Sequence, residues 1–305
     1  MNIEQQQPQY VFTIINPASG MARPDQIRQM LATHFDQLQW TYEYYETTGQ
    51  EDIPELVRQA VHRGCTMVVA AGGDGTVGAV ASGLVYTQIP LGIVPVGTAN
   101  VLAQDLDIPL NLDQACALFT SNYRIMCIDA MHINDHFFFT QVGIGLDALM
   151  IRNTGRTAKR FFGRVAYIWS GLRALMGFQP QRFTIVTDTY STRQRALQVI
   201  VANSGLLGAK PFQYGPDIHL DSQHVVVCLV KAHTIYDYMN VAWHTLRQDH
   251  ESSRNIRYFK VQHHIDIHSR RPLPVQADGE LIQETPVHIR VVPAAVRVIV
   301  PSSPA

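Results

Sequence analysis

The run Met67-Val68-Val69-Ala70-Ala71 ends directly on Gly72-Gly73-Asp74-Gly75-Thr76, and this junction restricts the possible folds more than any other stretch. Five apolar residues without polar alternation read as a strand buried on both faces, the pattern of a parallel sheet covered by helices. The turn leads into a helix expected over Val77–Val85. Glycines let the backbone approach a ligand closely and adopt positive φ, so successive N–H groups can converge on an anion. The following helix adds free donors and a positive dipole end. Asp74 conflicts with this, because a carboxylate beside a phosphate repels it. A bound Mg²⁺, or a hydrogen bond to the carboxylate from a sugar or from backbone N–H groups, would remove the conflict. The turn therefore points to a nucleotide with a metal rather than to a bare phosphate.

Two companions strengthen that reading. Asn16-Pro17-Ala18-Ser19-Gly20 follows the apolar run Val11–Ile15, and Gly97-Thr98-Ala99-Asn100 follows Leu91–Val96 and opens a helix over Val101–Leu106. Ser19, Thr76 and Thr98 add hydroxyl donors. In a parallel sheet such turns fall at the carboxyl ends of the strands, where α/β folds bind ligands. Helical spacing over Pro24–Phe35 and Ile53–His62, with a strand over Trp40–Tyr45, completes a βαβα order. Residues 8–129 are thus expected to form an α/β domain, a parallel sheet flanked by helices.

After about Asp129 the pattern changes. Ala130–Gln141 reads as a hairpin turning at Asn134-Asp135, and strands are expected at Phe183–Thr187, Leu197–Ala202, Val225–Val230, Tyr258–His268 and Val287–Val292. In Tyr258–His268 every second residue belongs to one face, as in an antiparallel sheet with one wet side. Helical stretches at Ala158–Met176 and Thr234–Gln248 interrupt this β-rich domain, expected over 130–295. A last strand, Val296–Val300 within 296–305, is a candidate to return to the first domain.

Lys plus Arg number 24 against 25 Asp plus Glu, so no global field favours nucleic acid or membrane. Cys65, Cys116, Cys127 and Cys228 are widely spaced, each in an apolar stretch and without a CxxC pair, which suits buried free thiols in a reducing cytoplasm. Met1–Gln9 is polar, and no apolar run is long enough to span a bilayer. The expected location is cytoplasmic, with any membrane contact peripheral. The 13 histidines show no ligand spacing. Lys159 to Trp169, extended to Phe178, combines basic and aromatic residues, as does a helix lying on an anionic membrane or one packed on a sheet.

Asn16 to Gly20, Gly72 to Thr76 and Pro95-Val-Gly-Thr-Ala-Asn100, followed by Gly143-Ile-Gly-Leu-Asp-Ala148 and Asp278-Gly-Glu280, resemble in order and spacing the diacylglycerol and sphingosine kinases, the bacterial soluble members most of all. The resemblance covers essentially the whole chain. It implies an NAD-kinase-like α/β domain that binds ATP with Mg²⁺, and a β-rich domain that holds a lipid. By motif, Asn16, Pro17, Ala18, Ser19, Gly20, Gly72, Gly73, Asp74, Gly75, Thr76 and Thr98 would bind the nucleotide. Thr47 matches a threonine that relatives place nearby, and it would equally serve as a capping residue.

Residues alone make Asp278-Gly279-Glu280 a hairpin turn, whereas the resemblance makes it the source of the general base, from Asp278 or Glu280. Asp147 would orient the acceptor or cap a helix. Relatives often carry an Asp-Asp-Gly turn holding a structural Mg²⁺. Here that turn reads Asp221-Ser222-Gln223, which puts a metal there in doubt. The resemblance implies a lipid partner at a membrane surface and no nucleic acid, and it leaves a homodimer open. An NAD or sugar-phosphate kinase, and a non-catalytic nucleotide- or lipid-binding protein, are the alternatives.

Overall fold

The computed structural model describes residues 9–20, 23–153, 180–207, 213–215, 217–231, 237 and 255–302. The helix expected over Ala158–Met176, the one expected over Thr234–Gln248 apart from the helical Asp237, the basic aromatic segment and the Asp147 side chain lie outside the described residues. The chain divides into two compact units, one of Met1–Asp129, Gly208–Lys210 and Pro293–Ala305, the other of Ala130–Leu207 and Pro211–Val292.

The first unit is a parallel α/β structure. Strands β1 (Tyr10–Ile15), β2 (Thr41–Glu46), β3 (Met67–Gly72) and β4 (Leu91–Pro95) lie in the order β2-β1-β3-β4, all parallel. Every residue of β3 is buried, as its unbroken apolar run requires. Helices α1 (Pro24–Gln37), α2 (Ile53–His62) and α3 (Asp74–Leu84) follow the first three strands. After α4 (Val101–Asp105) comes α5 (Leu112–Leu118), a helix the apolar spacing did not suggest. Its signal is a cap: the Asn111 side chain accepts from Gln114 N at 3.2 Å.

The close fit between α2 and α3 depends on glycine. A Cβ on Gly83 would lie 2.6 Å from Val57 Cβ and 2.7 Å from the Pro54 carbonyl. Strand β5 (Tyr123–Ile133), on which Cys127 is exposed rather than buried as expected, leaves this unit after Asp129, and β16 (Val287–Pro301) re-enters it at Pro293, with Val298 paired in parallel to Leu91. Buried Asp129 accepts the N–H of Ala294 at 2.8 Å, which holds that residue at φ +49°.

In the second unit β5 turns at Asn134, φ +52°, into β6 (His136–Phe138). One antiparallel sheet runs β16-β13-β8-β9, using β8 (Gln181–Thr187), β9 (Ser191–Ala196) and β13 (His264–Ser269). A six-stranded sheet runs β12-β11-β10-β7-β14-β15. Its strands are β7 (Gln141–Gly145), β10 (Gln198–Ala202), β11 (Val225–Val230), β12 (Ile256–Val261), β14 (Pro274–Ala277) and β15 (Glu280–Glu284). Helix α6 (Leu146–Asn153) follows β7.

The expected single strand Tyr258–His268 is in fact two, β12 and β13, in different sheets. The Asp188 carboxylate accepts from His263 N at 2.8 Å and His264 N at 3.1 Å, taking the backbone out of one ladder before it joins the other. Alternation survives the corner because Val261, Ile265 and Ile267 all enter one core, with Val142, Ile144, Val199, Phe183, Ile185 and Ile289. Strands β10 and β11 are apolar on both faces because Ile200, Ala202, Val226 and Cys228 pack on the other side against Ile218, Tyr214 and Tyr258.

The α2–α3 contact yields a prediction. Alanine gains about 1 kcal/mol over glycine in a helix, but overpacking against backbone and a β-branched neighbour costs about 1–3 kcal/mol. Gly83→Ala should therefore lower the urea midpoint; an unchanged or higher midpoint would show that α2 yields freely.

Candidate functional site

All three glycine turns of the first unit meet at the carboxyl ends of β1, β3 and β4, and they are tied to one another across long sequence separations. Asn16 Nδ2 donates to Thr76 Oγ1 at 2.9 Å, bridging 60 residues, while Asn16 N donates to Ala71 O at 3.0 Å. The Asn16 side chain also accepts from Ala18 N at 3.0 Å, and Ser19 N donates to Asn16 O at 3.1 Å, which curls Asn16–Gly20 into a compact turn. Gly20 sits at φ +73°, and a Cβ there would fall 1.5 Å from the Val96 carbonyl, so only glycine fits. A Cβ on Gly97 would fall 2.4 Å from the Gly73 Cα. Backbone thus lies on backbone with no side chain between.

Helix α3 opens on Gly73, with Asp74, Gly75 and Thr76 in its first turn. First-turn N–H groups have no intrahelical acceptor and stand available to an anion. Asp74 is not aimed at such an anion alone: its Oδ1 accepts the N–H of Val101 at 2.6 Å. A backbone donor is one of the resolutions its presence in the turn demanded. The bond ties the start of α3 to the start of α4 across 27 residues. Asn100, at φ +50°, holds the third turn by accepting from Gly97 N and donating to Gly97 O, both at 2.9 Å. Glycine and hydroxyl content alone does not single out this role. Thr98 is exposed, Gly75 is exposed and Thr76 is buried.

Thr47 also reaches this region. It is buried, and its N–H extends the β1–β2 ladder by donating to Ile15 O at 2.9 Å, one residue before Asn16. The turn after it is organised by Glu51, whose carboxylate accepts from Thr48 N, Thr48 Oγ1, Gly49 N and Gln50 N. Those bonds, first among them the Thr48 backbone N–H, hold the Glu51 carboxyl down at about 2 from its usual 4.5.

Asp278 and Glu280 belong to the second unit, and the structure gives them different surroundings. Asp278 (φ +46°) and Gly279 (φ +87°) form the two-residue turn between β14 and β15, a type I′ geometry. The Asp278 carboxylate is taken up by four donors: Phe139 N at 2.8 Å, Thr140 N at 3.0 Å, Thr140 Oγ1 at 2.6 Å and Gln141 N at 3.0 Å. Asp278 N returns a bond to Gln141 O at 3.0 Å, and Gly279 N donates to buried Gln276 at 3.0 Å. Nothing in the local sequence advertised Thr140 as its partner. Glu280, the next carboxylate, is exposed and has no hydrogen-bond or ion-pair partner among the described residues.

Among the described residues no three His, Cys, Asp or Glu side chains converge to hold a metal.

The fold defines a class: a parallel α/β unit on one chain with a two-sheet antiparallel unit. The diacylglycerol kinase catalytic domain matches residues 10–132, and the YegS C-terminal NAD kinase beta sandwich-like domain matches residues 140–300. The chain belongs to the family of lipid kinases that these two domains define. A diacylglycerol kinase of Bacillus subtilis is 25% identical over 269 residues, 88% of each chain. The probable lipid kinase YegS of Escherichia fergusonii is 29% identical over 260 residues, 84% of this chain and 85% of its own. The crystal structure of a diacylglycerol kinase from Bacillus anthracis superposes with a TM-score of 0.79 at 23% identity, over 96% of this chain and 98% of the other, which shows the shared fold.

Glu51 provides a test of the turn beside Thr47. A depressed carboxylate contributes stability that is present above its unfolded pKa and lost as pH falls through the folded value. The side-chain carbon resonance of Glu51 should therefore titrate at about 2, with the amides of Thr48 and Gly49 moving together with it. A midpoint at the ordinary 4.5 would mean that the turn is not held by Glu51.

Proposed function

We propose that this protein is an ATP-dependent kinase that transfers the γ-phosphoryl group to the hydroxyl of a diacylglycerol-like membrane lipid, with Mg²⁺ carried on the nucleotide. The observation that carries the donor half is the interlocking of three glycine turns at the strand ends of one parallel sheet. The lipid half rests on family membership and on the names of the relatives. In this reading residues 8–129, with the strand segment in 296–305, bind ATP, and residues 130–295 receive the lipid at a membrane surface.

The turns Asn16–Gly20 and Gly72–Thr76, with Thr98, would bind the triphosphate through backbone N–H groups and the hydroxyls of Ser19, Thr76 and Thr98. Thr47 would line the same pocket. Mg²⁺ bound to the triphosphate would supply charge neutralisation as the terminal phosphoryl group departs. Catalysis then needs little covalent chemistry from the protein, chiefly positioning and a base for the acceptor proton. The acceptor oxygen bonds to γ-phosphorus, the bond to the bridging oxygen of ADP breaks, and the hydroxyl proton goes to a carboxylate and on to solvent.

Of the two candidate carboxylates we assign the base to Glu280. A base needs a carboxylate free to turn to the substrate, and Asp278 is held by four protein donors, three on Oδ1 and one on Oδ2. Asp278 is the positioning residue that fixes the turn on which Glu280 stands.

Transfer from γ-labelled ATP to lipids in mixed vesicles, with NAD and sugar phosphates as competing acceptors, tests the proposal. Label should appear in the lipid fraction. Label in NAD or a sugar phosphate, or ATP binding without transfer to any acceptor, would contradict it. Glu280→Gln should lower kcat by about 10²–10⁴-fold with ATP affinity unchanged. Asp278→Ala should cost about 2–4 kcal/mol of stability, since four partly buried donors lose a charged acceptor. Full turnover in Glu280→Gln would refute the assignment of the base.

A further inference from the structure

The turn at 221–223 carries Ser222 and Gln223 where the family resemblance leads one to expect an aspartate and a glycine around a structural Mg²⁺. The local geometry shows what has replaced them. Ser222 Oγ lies 2.8 Å from the His219 carbonyl oxygen and 3.0 Å from the His224 carbonyl oxygen, so two main-chain acceptors converge on one hydroxyl. Ser222 N donates to His219 O at 3.3 Å. His224 Nδ1 lies 2.8 Å from Ser222 O; a carbonyl only accepts, so this nitrogen carries the proton. Gln223 takes the left-handed conformation that a glycine would fill, at φ +59°.

The donor set does not fit a divalent cation. Mg²⁺ seeks near-octahedral oxygen ligands, with carboxylates to offset its charge. Position 222 offers a neutral hydroxyl. The carboxylate of Asp217 faces an ammonium instead, with Lys260 Nζ 3.8 Å from its Oδ2. Among the described residues no group of three His, Cys, Asp or Glu side chains forms a ligand set. The segment is also anchored without a cation. Ile218 packs on Ile200, Ala202, Val226 and Cys228, and Leu220 is buried.

We infer that the loop 217–224 is closed by the Ser222 hydroxyl standing in the place of a cation, and that the divalent-metal requirement of this chain is confined to the metal carried on the nucleotide. The second clause rests on the kinase reading. The first does not, and it is tested on protein free of ATP and lipid, so failure of one leaves the other intact.

The experiment is thermal unfolding of the whole chain in EDTA and in excess Mg²⁺ or Ca²⁺, with metal analysis of the purified protein. The natural chain should melt at the same temperature in all three buffers and carry no stoichiometric metal. Ser222→Thr, which keeps the hydroxyl, should retain that melting point. Ser222→Ala takes the hydroxyl donor from both carbonyls, leaving the His219 carbonyl only the backbone N–H of residue 222, and should melt about 2–4 °C lower. Ser222→Asp supplies the missing charge and should be destabilised in EDTA and restored by Mg²⁺. A Mg²⁺-dependent rise in the natural chain, or one equivalent of divalent metal bound to it, would overturn the inference. So would a Ser222→Asp variant indifferent to Mg²⁺, because the hydroxyl would then not mark a cation's place. If Ser222→Ala fails to fold, the metal titration of the natural chain still decides.

Discussion

The contact on which the first unit depends is the approach of bare backbone at Gly73 and Gly97, locked by the bond from Val101 N to Asp74. Two strand-to-helix turns come so close there that a single methyl group on Gly97 would collide with the Gly73 Cα. The Asp74 carboxylate spans the gap at 2.6 Å and joins the openings of α3 and α4. Adding the first turn through Asn16 and Thr76 makes the three turns one structure. An acidic residue in a glycine turn proposed to hold phosphate, electrostatically awkward when the turn is considered alone, becomes the tie between two helix N-termini. Helix N-termini are positive dipole ends that repel each other, and a carboxylate between them offsets that repulsion.

The same economy of carboxylates appears in the second unit. Asp278 organises the β6–β7 connection by accepting from Phe139, Thr140 and Gln141, while Asp188 turns β12 into β13 by accepting from His263 and His264. Hydrogen bonds to a charged acceptor are stronger than neutral ones, about 1.5–3 kcal/mol. These two residues therefore fix corners that apolar packing alone would leave loose. Glu280 is the exception: it is exposed at the start of β15 and committed to no protein donor among the described residues.

Much of this fold was legible in the sequence, because its signals are local. Met67–Ala71, Val11–Ile15 and Leu91–Val96 announce buried parallel strands by uninterrupted hydrophobicity, and α2 begins and ends where its spacing does. Alternation identified the antiparallel second unit and the hairpin at Asn134. What stayed hidden is non-local. The break between β12 and β13 depends on Asp188, which lies 75 residues from His263, and alternation runs through it unchanged because both strands serve one core. Helix α5 carries no clear signal because seven residues are too few for a period. In the site, residue types marked the three turns, but no pattern could show that Asp74 answers to Val101 or that Asp278 and Glu280 occupy opposite situations.

We propose that the three turns form one site for the phosphates of a nucleotide. This is tested most directly by titrating Mg²⁺–ATP into ¹⁵N-labelled protein and following backbone amides. Ser19, Gly73, Gly75, Thr76 and Thr98 should shift together along a single saturating curve. Shifts confined to other strand ends, or separate saturation of the first and second turns, would contradict it.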